Sequence, residues 1–267
     1  MNSKLKEKKL YLLDMDGTIY LDDFLFEGVL EFLDHVKKIG GRYLFLTNNS
    51  SKGVDKYIEK LGKLGIKADK DDFITSVDAT VVHLKGKTYK KIYVLGTESF
   101  KKQLRDEGLP VVDELEEGID CLCMGFDTEL TFKKLEDACK LLTGSDIDYI
   151  ATNPDWVCPT AFGSVPDCGS VSTMLKNATG KWPVFIGKPQ TAMVELAIAK
   201  TGYKKEEAAL MGDRLYTDIA CGVNAGISTI FVLSGEGTMK DVEESDKKPE
   251  FILKNVKELY DILTDNN

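Results

Sequence analysis

Short apolar runs alternate with amphipathic stretches along the whole chain, and this alternation limits the fold more than any other feature. The runs at 10–13, 43–46, 92–95, 121–124, 149–151, 184–186, 208–211 and 229–233 read as strands. The stretches near 28–39, 52–64, 76–86, 98–107, 131–143, 170–179, 190–201, 216–225 and 255–263 read as helices. Parallel strands need long crossovers, usually helical, whereas antiparallel strands can be joined by a tight turn. The chain is therefore expected to be α/β, with a mainly parallel sheet. A length of 267 residues suffices for one large domain or two smaller ones.

Four of these apolar runs end in polar signatures. Leu10-Tyr11-Leu12-Leu13 delivers Asp14, Asp16, Gly17 and Thr18. The run ending at Leu46 delivers Thr47-Asn48-Asn49, the run ending at Ile186 delivers Gly187-Lys188-Pro189, and the run ending at Met211 delivers Gly212-Asp213 with Asp218 five residues on. Open parallel sheets bind ligands beyond the carboxyl ends of their strands. Four strand ends can therefore bring these residues to one site. The interval between Asn49 and Lys188 carries its own α/β pattern and is large enough for an inserted domain. That insert is placed at 80–182, leaving 1–79 and 183–267 for the core.

The residue types point to phosphoryl transfer. Asp14 would attack phosphorus and form an aspartyl-phosphate. A carboxylate is a weak nucleophile, so the phosphoryl group needs charge neutralisation. Mg2+ bound by Asp14 and Asp213 would provide it, because magnesium prefers oxygen ligands. Asp16 suits protonation of the leaving oxygen and later deprotonation of the hydrolytic water. Lys188 would neutralise charge on the nucleophile and the transferring group. Asp218 is assigned to water-mediated metal contact or to orientation of Lys188, with helix capping as the plainer role. Thr47, Asn48 and Asn49 suit phosphate oxygens, and an Asn or Ser here also suits capping of the helix expected from near Ser51; the two roles can coexist.

Other classes fit less well. A net charge of -9 does not favour nucleic acid or an anionic membrane. No apolar run approaches the span of a bilayer. The apolar stretch after the basic N-terminus is too short for a signal-peptide core, so a cytoplasmic location is expected. The six cysteines lack zinc-site spacing and read as buried reduced thiols. With only His35 and His83, a histidine-based mechanism has little support. The competing reading is a phosphate-ligand-binding or regulatory protein with little turnover. The acid/base residue Asp16, which a pure binder does not need, argues against it.

The motif set as a whole resembles the haloacid dehalogenase-like hydrolase superfamily. Asp14-Met15-Asp16-Gly17-Thr18-Ile19-Tyr20, Thr47-Asn48-Asn49-Ser50 and Ala151-Thr152-Asn153-Pro154-Asp155 look like its NagD-type, 4-nitrophenylphosphatase-like branch. The resemblance implies a Rossmann-like parallel-sheet core with an inserted α/β cap domain. It also implies Mg2+ held by the side chains of Asp14 and Asp213 and by the main-chain carbonyl of Asp16. The substrate would be a small-molecule phosphate ester. A cap specificity loop carrying Asp155, Trp156 and Cys158 would select the leaving group, with Trp156 either shaping the pocket or packing inside the cap. A homodimer through the cap is a further expectation; sedimentation at micromolar concentration that finds only monomer would remove it.

Overall fold

In the computed structural model, which describes residues 2–160 and 162–265, the strand Leu10–Leu13 is buried at every position. That is what a central strand covered on both faces by helices requires. In chain order the strands are β1 Leu10–Leu13, β2 Tyr20–Leu21, β3 Phe24–Leu25, β4 Arg42–Thr47, β5 Phe73–Thr75, β6 Ile92–Leu95, β7 Val111–Val112, β8 Cys121–Met124, β9 Asp148–Ala151, β10 Val157–Thr160, β11 Gly163–Pro166, β12 Val184–Phe185, β13 Ala208–Gly212, β14 Ser228–Val232 and β15 Phe251–Leu253. The chain divides into two units, Met1–Thr47 with Val54–Ile74 and Lys188–Asn267, and Asn48–Gly53 with Thr75–Gly187.

The first unit is built on a six-stranded sheet in the order β15-β14-β13-β1-β4-β5. β1 lies between β13 and β4 and runs parallel to both. Its helices earn their place by pattern. In Val29–Lys38 the buried residues are Val29, Phe32, Leu33 and Val36, the three-to-four spacing that puts one apolar stripe on the sheet. Val256–Thr264 packs beside that helix and buries Val256 and Leu259. Beneath them the rings of Tyr11 and Phe32 meet edge to face at 5.1 Å, and Phe45 stacks at a tilt on Tyr43 and Phe73, both at 5.4 Å.

The second unit has a five-stranded sheet in the order β12-β9-β8-β6-β7, parallel throughout, and a separate antiparallel hairpin of β10 and β11. Its core gathers Tyr93, Leu95, Leu122, Met124, Ala138, Leu142, Ala151 and Leu175. Cys121 and Cys123 are buried on β8, and all six cysteines are free thiols.

One expectation is corrected. The run 184–186 and the core range 183–267 together imply a strand that delivers Lys188 in the same sheet as the other motifs. β12 instead pairs with β9 in the second unit, and the ladder continues through Ile186 N–H to Ala151 O and Gly187 N–H to Thr152 O. Lys188 therefore follows a strand of the other sheet. The helix expected at 216–225 begins as a π-helical turn, Leu215–Ile219, before Ala220–Ala225. Among the described residues, no helix is long and apolar enough to cross a membrane.

Phe45 has no exposed surface and sits at the centre of the aromatic cluster. Phe45→Ala should lower the free energy of urea unfolding by about 3–5 kcal/mol. A loss below about 1 kcal/mol would show that the surrounding side chains close the cavity.

Candidate active site

Three of the four motifs in the first unit are set by strand register. Leu13 lies opposite Met211, and the Asp14 N–H donates to Met211 O at 2.9 Å. Asp14 therefore stands beside the end of β13, and Asp213 is the first residue past it. Thr47 ends β4, the neighbour of β1 on its other side, and is buried. The chain turns sharply after Asp16 at Gly17, whose φ is +83° and where a Cβ would stand 2.4 Å from Asp213 Oδ2. A glycine is needed there both for the left-handed backbone and for the space.

Lys188 is almost wholly buried, and its ammonium lies between carboxylates. Nζ is 2.5 Å from Asp14 Oδ1, 2.6 Å from Asp218 Oδ1 and 3.4 Å from Leu46 O. Asp218 is held in turn: the π-helical turn brings its Oδ2 back to accept from the Arg214 N–H at 3.1 Å. Both Asp218 oxygens are thereby engaged. Asp213 Oδ2 accepts from the Glu236 N–H at 2.7 Å, and Gly237 N–H donates to Asp213 O. Asp213 Oδ1 is buried with no hydrogen-bond partner among the described residues.

The electrostatics follow from this crowding. Burial, then the neighbouring Asp218, pushes the Asp14 carboxyl well above the usual carboxylate range, and Lys188 opposes the shift. Burial and Asp218 likewise raise Asp213, to about 6. Burial alone would lower Lys188, but Asp14 and Asp218 override it and hold the ammonium above its ordinary value. Ligand oxygens of Asp14, Asp213 and Asp218 all lie within 4.8 Å of one another. Ionised together, the three carboxylates would exceed the one ammonium by two negative charges, since Arg214 is paired with Glu236, and that excess is what raises Asp14 and Asp213 beyond the effect of burial. Oxygens on opposite sides of an octahedral magnesium are about 4 Å apart. The oxygen donors, the charge deficit and the orphaned Asp213 Oδ1 fit a small divalent cation.

Asp16 is placed differently. Its side chain is 52% exposed, with the Tyr20 hydroxyl donating to Oδ2 at 3.2 Å and Lys60 Nζ at 3.5 Å from Oδ1. Its carboxylate lies outside the group of three, so only its main chain remains for the metal role expected of it. Asn48, Asn49, Asp155, Trp156 and Cys158 belong to the second unit. Asn49 Oδ1 accepts from both the N–H and the hydroxyl of Ser51, closing a turn ahead of the helix that starts at Val54. It therefore caps a turn and not the helix. Within that unit, Asn49 Nδ2 and Cys158 Sγ are 3.9 Å apart, Asp155 is buried, and Trp156 is 51% exposed and so not an interior packing residue. Sequence reasoning missed Ser234–Gly237, the loop that holds Asp213 and, through Ser234 Oγ, Gly17 O at 2.8 Å. The small residues just past the apolar run 229–233 were the available signal.

Known proteins share this arrangement of sequence. A family model described as haloacid dehalogenase-like hydrolase matches residues 11–110, and one described as HAD-hydrolase-like matches residues 185–259. Acid sugar phosphatase of Staphylococcus haemolyticus is 32% identical over 253 residues, 94% of this chain and 95% of its own length. Among solved structures, 4-nitrophenylphosphatase from Thermotoga maritima is similar with a TM-score of 0.91 and 42% identity, covering 98% of this chain and 99% of that one. Glycerol phosphate phosphatase from Mycobacterium tuberculosis, in complex with magnesium, is similar with a TM-score of 0.89 and 28% identity, covering 96% and 77%.

A carboxyl whose native proton affinity is raised contributes stability at low pH that is lost as pH rises through its native value. Asp213 lies at about 6 against an ordinary 3.8. In chelator, the unfolding free energy of the wild type minus that of Asp213→Asn should fall as pH rises from about 4 to about 6. A difference that stays level across that range would contradict the raised value.

Proposed function

The chain belongs to the haloacid dehalogenase-like hydrolase superfamily, in its NagD-type, 4-nitrophenylphosphatase-like branch, and is a phosphoric monoester hydrolase; from that premise we propose that it is Mg2+-dependent, works through an aspartyl-phosphate on Asp14, and acts on small organic phosphates. The observation that carries this reading is the Lys188 ammonium buried between Asp14 and Asp218, next to an Asp213 carboxylate with one oxygen unmet.

An oxygen of Asp14 attacks phosphorus as the bond to the leaving oxygen breaks, and Asp16 passes its proton to that oxygen. Asp16 then accepts a proton from water, whose oxygen attacks phosphorus. The phosphorus–aspartate bond breaks, inorganic phosphate leaves, and Asp14 returns as a carboxylate. Lys188 holds the Asp14 carboxylate in place and offsets the charge that gathers on the phosphoryl oxygens. Asp218, with both oxygens engaged, orients Lys188. Asp14, Asp213 and the main-chain carbonyl of Asp16 would hold the magnesium ion, which when bound neutralises phosphoryl oxygens that would otherwise repel the nucleophile. Thr47, Asn48 and Asn49 are assigned to the phosphate, and Asp155, Trp156 and Cys158 to choice of the leaving group. The names of the relatives, an acid sugar phosphatase, a 4-nitrophenylphosphatase and a glycerol phosphate phosphatase, support small organic monoesters as the substrate class.

Phosphate release from 4-nitrophenyl phosphate should require Mg2+ and cease on chelation. Asp14→Asn should abolish it, and Lys188→Ala should lower kcat by about two to three orders of magnitude, the scale for loss of one electrostatic donor. Turnover that survives exhaustive chelation, or wild-type rates in Lys188→Ala, would refute these roles.

A further inference from the structure

The second unit's sheet has its own ligand-binding end, and part of this chain fills it. Strand order reverses between β6 and β8: the chain passes from β6 to β7 on one side, then back to β8 on the other. At such a switch point an open parallel sheet leaves a crevice beyond its carboxyl ends, the usual seat of a ligand. Here the crevice is bordered by Gly96-Thr97 and Gly125-Phe126, and it holds Ser50 and Ser51. Ser50 Oγ accepts from the Phe126 N–H at 2.8 Å and is 2.9 Å from Thr152 Oγ1, while the Thr97 hydroxyl donates to Ser51 O at 3.1 Å.

The residue just before this pair is fixed as firmly. Asn48 O accepts from Ser76 Oγ at 2.7 Å and from Asn153 Nδ2 at 2.9 Å. Its side chain lies against Gly187, where a Cβ would stand 2.5 Å from Asn48 Oδ1. The other end of the Asn153 amide, Oδ1, accepts from the Asp155 N–H at 3.0 Å. Asn153 has no exposed surface. One buried amide thus reaches two segments more than 100 positions apart in the chain, using its donor on one and its acceptor on the other.

We propose that Asn153 is a positioning residue that holds the Asn48-Asn49 segment and the Asp155-Trp156 turn in one fixed register. Its kinetic consequence rests on the phosphate-binding role assigned above to Asn48 and Asn49. The amide meets both demands at once: Asn48 O takes its donor and the Asp155 N–H takes its acceptor. Leucine has nearly the same shape but neither donor nor acceptor, so it removes both hydrogen bonds at once and offers no group that a proton could restore.

Asn153→Leu tests this directly. The expected result is that KM for 4-nitrophenyl phosphate and the inhibition constant of inorganic phosphate rise together, by about tenfold, while kcat changes far less. Amide hydrogen exchange at residues 48–53 should accelerate. If kcat falls with KM and the inhibition constant unchanged, the residue only supports folding and the proposal is overturned. Should Asn153→Leu fail to fold, Asn153→Ser, too short to reach both partners, is the second variant and the same joint rise is expected; unchanged constants there overturn the proposal. A wild type without turnover would defeat the phosphatase reading alone. In that event faster exchange at 48–53 in the variant supports the anchoring, and unchanged exchange overturns it.

Discussion

A buried ammonium between two carboxylates sets the terms for the rest of the first unit. Removing such charges from water costs several kcal/mol per ion, and the mutual attraction offsets this only when geometry and hydrogen bonding are good. Lys188 meets that condition with Asp14, Asp218 and a main-chain carbonyl. Asp218 can serve only because a π-helical turn returns its second oxygen to the Arg214 N–H. Asp14 can serve only because register with β13 fixes where it leaves the sheet. The arrangement is still short of positive charge, and that shortage is the physical case for a divalent cation.

The two units use one principle for two purposes. In each, parallel strands deliver polar residues at their carboxyl ends. In the first unit these are Asp14, Thr47 and Asp213, the chemical groups. In the second, the corresponding loops grip Ser50 and Ser51, so that a crevice of the kind that ordinarily takes a ligand takes a piece of chain. A segment tied down in this way loses conformational freedom before any substrate arrives, which favours preorganised binding over ordering on contact.

Much of this was legible in the sequence because it rests on local pattern. The strands Leu10–Leu13, Ile92–Leu95 and Cys121–Met124 have the bounds that their apolar runs show. Asp14 and Asp213 stand at neighbouring strand ends of one sheet, as their apolar runs imply, whereas Lys188 joins them and Asp218 from a strand of the other sheet and was legible only through motif order. What was not legible depends on distant partners. The ownership of Val184–Phe185 is decided by hydrogen bonds to β9, and two strand residues carry too little pattern to reveal it. The two-residue strands β2, β3 and β7 are equally silent. The ties from Asn48–Gly53 to Ser76, Thr97, Phe126 and Asn153 join positions that no spacing rule connects. The exposure of the Asp16 carboxylate, beside Tyr20 and Lys60, likewise required the folded chain.

In the proposed reaction Asp14 becomes covalently bonded to phosphorus. Each in-line displacement inverts the configuration at phosphorus, so two successive displacements restore it. The direct measurement follows transfer of a phosphoryl group made chiral with oxygen isotopes from an aryl ester to an alcohol acceptor. Net retention is expected from an intermediate on Asp14. Net inversion would mean that the acceptor attacks the ester in a single step, and Asp14 would then not be the nucleophile.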